Sequence, residues 1–215
     1  FVSVIRPALA AIIAPNKAAA VNPNALAAGE KLFFDFGPTD VTTGDSTIAP
    51  DSNGNHWNNW HLTNGGGTIN SGEHLRNLVR STGTNTGIRM TMTGGFLCNG
   101  KASFGGLLAP NPSLLGELAV ESATQDFFYS TANDVWDSTS DDVPGGFMLE
   151  GLDPSLVYEF KFFGARDNAE TRITKYEVFG SNGGQANLTT SGTGIGRAGR
   201  NNNDDGDARV SGIRP

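Results

Sequence analysis

Cysteine is nearly missing from this chain, and so are the features that would place it in a specialised class. One cysteine, Cys98, in 215 residues excludes an internal disulfide framework and a thiolate-rich zinc site; it reads as a small buried hydrophobe. Charge is sparse as well. Only 17% of residues are charged, and 15 Lys and Arg against 22 Asp and Glu leave a net charge of −7. The basic residues form no run, so the footprint of a phosphate backbone is lacking and no nucleic-acid partner is expected. Long apolar runs are lacking too. The longest, Ala8 to Ala14, is closed by Pro7 and Pro15 and falls short of the roughly 18 residues of a membrane helix, so no transmembrane segment is expected. The chain opens on Phe1 without the basic-then-apolar order of a signal peptide, which suits a processed, exported protein.

What is present in quantity is glycine, 29 residues, scattered among Asn, Asp, Ser and Thr between short runs of period two. Leu32, Phe34 and Phe36 share one strand face, as do Ile88, Met90 and Met92. The pattern is clearest where Leu156, Tyr158, Phe160 and Phe162 alternate with Glu159 and Lys161, and Tyr176 and Val178 with Lys175 and Glu177. One stretch departs from it: Ser113 to Thr124, with Leu114, Leu115, Leu118 and Ala119 at three- and four-residue spacing, predicts a short helix capped by Ser113. Thr39 to Gly67 and Gly180 to Asp207 read as long loops. Many short strands with Gly-rich turns and one helix predict an all-β, antiparallel two-sheet β-sandwich of jelly-roll type.

The first 28 residues differ in kind. They hold ten alanines and no acidic residue, and they read as an extended arm (1–28), a candidate donor strand, preceding a sandwich domain (29–215). An apolar terminus is normally mobile unless something holds it.

The ordered segments Phe34-Asp35-Phe36-Gly37, Gly54-Asn55-His56-Trp57-Asn58-Asn59, Ala123-Thr124-Gln125-Asp126-Phe127-Phe128, Tyr158-Glu159-Phe160-Lys161-Phe162-Phe163-Gly164-Ala165-Arg166-Asp167 and Val210-Ser211-Gly212-Ile213-Arg214-Pro215 resemble a family of secreted bacterial β-sandwich domains. Those domains look like carbohydrate-binding modules and accompany lipase-like esterases or surface-sorting signals. The resemblance covers 29–215 and implies an extracellular or cell-surface setting more than an activity. It differs at both ends: the family continues past the Ile-x-Pro segment with further strands, and it has no equivalent of the arm.

Candidate sites are few. Trp57, Trp60 and His61, with Trp136, have the planar amphipathic character that stacks on sugars, and Asn58 offers hydrogen bonds to their hydroxyls, although a tryptophan beside a sandwich also serves as a core plug. Asn203, Asp204, Asp205 and Asp207 offer hard oxygen ligands suited to structural Ca²⁺, or form a solvated acidic turn; Asp137, Asp141 and Asp142 make a second acidic group. Asp35, between Phe34 and Phe36, points away from their face toward a cation or a backbone donor. Arg166 and Arg172 with Asp167 and Glu170 read as an ion-pair turn. Gly44-Asp45-Ser46 resembles the nucleophile block of a lipase-like hydrolase, but the sequence offers Ser46 no base with an orienting acid near His56, His61 or His74. No catalytic residue is therefore expected. Phe1, Val2, Val4, Ile5, Ile12 and Ile13 are β-favouring residues with nothing of their own to pack on, which suggests insertion into a neighbouring copy next to the edge that follows Pro215.

Together these features predict a non-catalytic subunit of an extracellular or cell-surface assembly, a homo-oligomer or homopolymer built through the arm. The alternative is a carbohydrate-binding module with a glycan partner.

Overall fold

Apolar side chains at every second position need a partner surface, and the chain supplies it by folding into an all-β sandwich. The computed structural model describes residues 4–5, 9–12, 22–40, 42–62, 67–101, 105–130 and 145–215. In chain order the strands are β1 (Val4–Ile5), β2 (Leu9–Ile12), β3 (Phe33–Pro38), β4 (Trp57–Leu62), β5 (Thr68–Ile69), β6 (His74–Leu75) and β7 (Arg89–Gly94). They continue with β8 (Phe96–Asn99), β9 (Phe127–Tyr129), β10 (Gly146–Glu150), β11 (Tyr158–Phe162), β12 (Arg172–Phe179), β13 (Gly183–Ser191) and β14 (Ala208–Ile213).

One sheet has the order β13-β12-β2-β10-β7-β6. Its inward residues, Met90 and Met92 on β7, Phe147 and Leu149 on β10, and Tyr176 and Val178 on β12, meet Phe34, Phe36, Trp60, Phe96 and Phe128 from the opposing strands in one core. Those opposing strands form the sheet β1-β9-β8-β5 and the pairs β3-β4 and β11-β14. A second, smaller core lies on the other face of β3 and β4. There Phe33 and Trp57, whose rings are 4.9 Å apart, pack under Leu107, Leu115, Leu118, Ala123 and Phe163.

Several expectations need correction. The sandwich is not antiparallel throughout: β1 with β9, β2 with β10 and with β12, and β3 with β4 all run parallel. Both supposed long loops contain a strand. Strand β4 shows no alternation because both of its faces are covered, which removes the period-two signal. Gly-rich β13 is fixed by pairing with β12 along its length, from Arg172↔Ser191 to Phe179↔Gly183, so tertiary context overrides its weak propensity. The helix between 113 and 124 is broken. It comprises α1 (Pro112–Leu115), a 3₁₀ turn Gly116–Leu118 and α2 (Glu121–Thr124). Gly116, at φ 58°, ends the first turn, a conformation that favours glycine. The N-cap is Asn111, whose side chain accepts from the Ser113 amide at 2.9 Å with Pro112 in the first turn; Ser113 lies inside the helix.

The arm is not detached. Val4 and Ile5 pair with Phe128 and Tyr129, and β2 lies between β10 and β12 in the same chain, with Ala11 opposite both Phe147 and Val178. It does not lie at the edge beyond Pro215, because the gap in backbone pairing is in the middle of the large sheet.

Candidate functional site

On β3 the side chains of Phe34 and Phe36 enter the main core, so Asp35 faces the other way, as strand alternation requires. Its register partner on β4 is Asn59. Both side chains reach Thr47: the Thr47 amide donates to Asp35 Oδ2 at 2.8 Å, and Asn59 Nδ2 donates to the Thr47 carbonyl at 2.8 Å. Asp126, immediately before β9, closes the chamber above them. Three glycines make room for it. A Cβ placed on Gly37 would lie 2.2 Å from Asp126 Cγ, one on Gly44 would lie 1.9 Å from its Oδ2, and one on Gly100 would lie 2.8 Å from its Cβ.

This chamber has an unbalanced polar inventory. Asp35 and Asp126 are 3% and 1% exposed. Asp35 Oδ1, Asn59 Oδ1 and both carboxylate oxygens of Asp126 are buried without a hydrogen-bond partner. Burial pushes the Asp35 carboxyl up to about 6. Burial, and then the negative charges of Asp35 and Asp45, hold Asp126 well above the usual carboxylate range, against a smaller opposing pull from Lys101. Lys101 is the adjacent cation, yet its Nζ is bound to Asp45 at 2.8 Å. An ionised carboxylate left unpaired in an interior costs on the order of several kcal/mol. Among the described residues, no group of three or more His, Cys, Asp or Glu side chains is placed to hold a metal; the chamber has two carboxylates and an amide.

Two of the expected sugar-facing residues are enclosed. Trp57 and Trp60 are 3% and 8% exposed, one in each core, so the core-plug alternative holds for both. Trp57 Nε1 donates to Asp51 Oδ2 at 2.8 Å, and Asp51 Oδ1 accepts from the amides of Asn53 and Asn55. Asn58 is buried, donating to the carbonyls of Phe33 and Val79 and accepting from the Val79 amide. These groups are already committed to the fold. Of the described members of that set His61 is the exposed one, and its Nδ1 lies 3.2 Å from Ser46 Oγ. Ser46 therefore does have a base within reach, contrary to the sequence expectation. His61 has no carboxylate partner among the described residues, so the group that would orient and charge-stabilise the base is missing.

The proposed calcium turn is also committed. Asn203 donates to the carbonyls of Gly164 and Gly206 and accepts from the Gly206 amide. Asp204 Oδ2 accepts from the Arg197 amide at 2.9 Å, and Asp205 lies 4.0 Å from the Arg197 guanidinium. Asp207 is gripped by Arg209 at 2.7 Å and Lys161 at 3.1 Å. The ion-pair turn is present as Arg172–Glu170 at 2.6 Å, and Cys98 is buried. Trp136, Asp137, Asp141, Asp142, Phe1, Val2 and Ile13 lie outside the described residues.

A second feature is a groove of about 870 Å³ bordered by Leu32 to Phe34, by Leu114 and Leu118, and by Tyr158 to Phe162, with Phe147 and Leu149 at its floor. Among the described residues no helix is long and apolar enough to cross a membrane. No protein-family model, curated protein or solved structure matches this chain.

Proposed function

We propose that this protein is a non-catalytic, exported β-sandwich subunit that builds an extracellular or cell-surface assembly by lending its N-terminal arm to a neighbouring copy. The observation that carries the reading is the position of β2. A segment from outside the sandwich fills a slot between β10 and β12, parallel to both. Parallel neighbours cannot be joined by a hairpin turn, so no local connection ties the strand to its own sheet. The same backbone bonds form when the strand comes from a second copy, which is the logic of strand exchange. Without β2 the facing edges of β10 and β12 would be unpaired in mid-sheet. Charge supports the contact: residues 1–28 carry Arg6 and Lys17 and no acid, while all 22 acidic residues lie between 29 and 215.

Cross-linking tests this directly, because Ile12 is the register partner of the exposed Phe179 and the single native cysteine is buried. Ile12→Cys and Phe179→Cys are made on separate copies, mixed before assembly and oxidised. Covalent dimers containing one of each variant are expected. A light-scattering mass of one subunit together with no mixed dimer would overturn the reading and leave the arm as a strand of its own domain.

A further inference from the structure

The chamber between β3, β4 and Asp126 goes beyond assembly. Four buried atoms there lack a partner: Asp35 Oδ1, Asn59 Oδ1 and the two carboxylate oxygens of Asp126. All four are acceptors. The orientation of the Asn59 amide follows from its bond to the Thr47 carbonyl at 2.8 Å, so its oxygen, not its nitrogen, is the free atom. The geometry points to a divalent cation, Ca²⁺, held by Asp35, Asn59 and Asp126.

Three alternatives satisfy the chamber less well. A proton shared by the two carboxyls supplies one donor for four oxygens. Water supplies donors but no positive charge, and the adjacent Lys101 is engaged by Asp45. Zinc prefers sulfur and nitrogen ligands, none of which enters this set. A hard divalent cation neutralises both carboxylates and accepts all four oxygens at once, and Ca²⁺ tolerates a mixed set of carboxylate, amide, carbonyl and water ligands. The glycine cradle adds preorganisation: Gly37, Gly44 and Gly100 leave the space that the Asp126 side chain occupies. The ion would join three separate pieces of the chain, namely β3, β4 and the entry to β9. It is a staple for the face of β3 and β4 that carries the second core.

The test uses the full chain, stripped with a chelator and then titrated with calcium chloride or terbium chloride. Calcium should raise the melting temperature by about 5 °C or more when saturating, and terbium should bind in a one-to-one ratio with emission sensitised through the nearby tryptophans. Asp126→Asn, which is isosteric, should lose both responses, and Asp35→Asn serves if the first variant does not fold. Asp207→Asn should keep them. Absence of a calcium-dependent shift and of terbium binding in the unaltered protein overturns the assignment. So does an undiminished response in the folded Asp126→Asn protein, or loss of the response in Asp207→Asn instead, which would move the ion to the acidic turn.

Discussion

Residues 201–207 and the chamber beneath Asp126 both crowd acidic and amide oxygens together, yet they reach opposite electrostatic states. In the first, six of seven consecutive side chains are Asn or Asp, and each carboxylate has found a donor or a cation within reach: the Arg197 amide for Asp204, the Arg197 guanidinium for Asp205, and Arg209 with Lys161 for Asp207. In the second, three residues from three separate segments meet, and Asp126 has no partner for either oxygen. The difference is one of assembly. A run of acidic residues in a turn has its own amides and flanking arginines at hand, so the chain satisfies most of it locally, with Asn202 Oδ1 and Asp204 Oδ1 the buried exceptions. Oxygens brought together by tertiary packing have only what the fold places around them, which here is glycine.

The strongest way to break the comparison is to remove the space. Gly100→Ala would put a Cβ 1.6 Å from the Thr43 carbonyl oxygen as well as against Asp126; backbone cannot step aside as a side chain can. A loss of about 3 kcal/mol is expected, read as a fall of roughly 6–12 °C in melting temperature. The matching change in the acidic turn, Gly206→Ala, meets only Asn203 Oδ1 at 3.0 Å and Leu188 Cδ1 at 3.2 Å, and should cost less than about 1 kcal/mol. Equal losses would mean that the chamber is no tighter than the turn.

How far the sequence revealed this arrangement differs from residue to residue. Strand identity was legible wherever one face is solvated, as in β7 and β12, because burial then writes a period of two into the chain. It was illegible in β4 and β13, where covering on both faces or ladder pairing replaces that period. The direction of Asp35 followed from Phe34 and Phe36 on either side. Its meeting with Asp126 did not, since nothing local to Ala123-Thr124-Gln125-Asp126 announces which strand lies beneath it. The tryptophans misled for a related reason: polar neighbours suggested exposure, but Asn58 and Asp51 are polar in order to satisfy buried backbone and the indole nitrogen.

A charge deletion sharpens the contrast in sign. In calcium-free buffer Asp126→Asn removes a carboxyl that burial and the charge of Asp35 make costly to ionise, so the metal-free protein should gain stability, by about 1–2 kcal/mol, the size of one relieved buried electrostatic conflict. Chemical denaturation with a chelator present measures it. A large loss would show that Asp126 has a donor after all and that the two acidic regions are alike.

The smallest expected effect concerns Asp207. Burial alone would raise its carboxyl, but the hydrogen bonds from Arg209 and Lys161 outweigh it and hold the group below the ordinary carboxylate value. A carboxylate depressed in the folded state contributes stability that is present above its unfolded value, near 3.8, and lost as pH falls through the lower folded value. Both cations are partly exposed, so the contribution is that of a surface ion pair, about 0.5–1 kcal/mol. Asp207→Asn should therefore reduce stability at neutral pH by that amount, with the difference from the unaltered protein fading below about pH 4 and shrinking in molar salt as the pair is screened. The measurement is a pair of denaturation series across acidic to neutral pH, run at low and high ionic strength. A deficit that persists in acid would mean that Asp207 acts through hydrogen bonds to uncharged geometry rather than through its charge, and the acidic turn would then owe its order to backbone bonding alone.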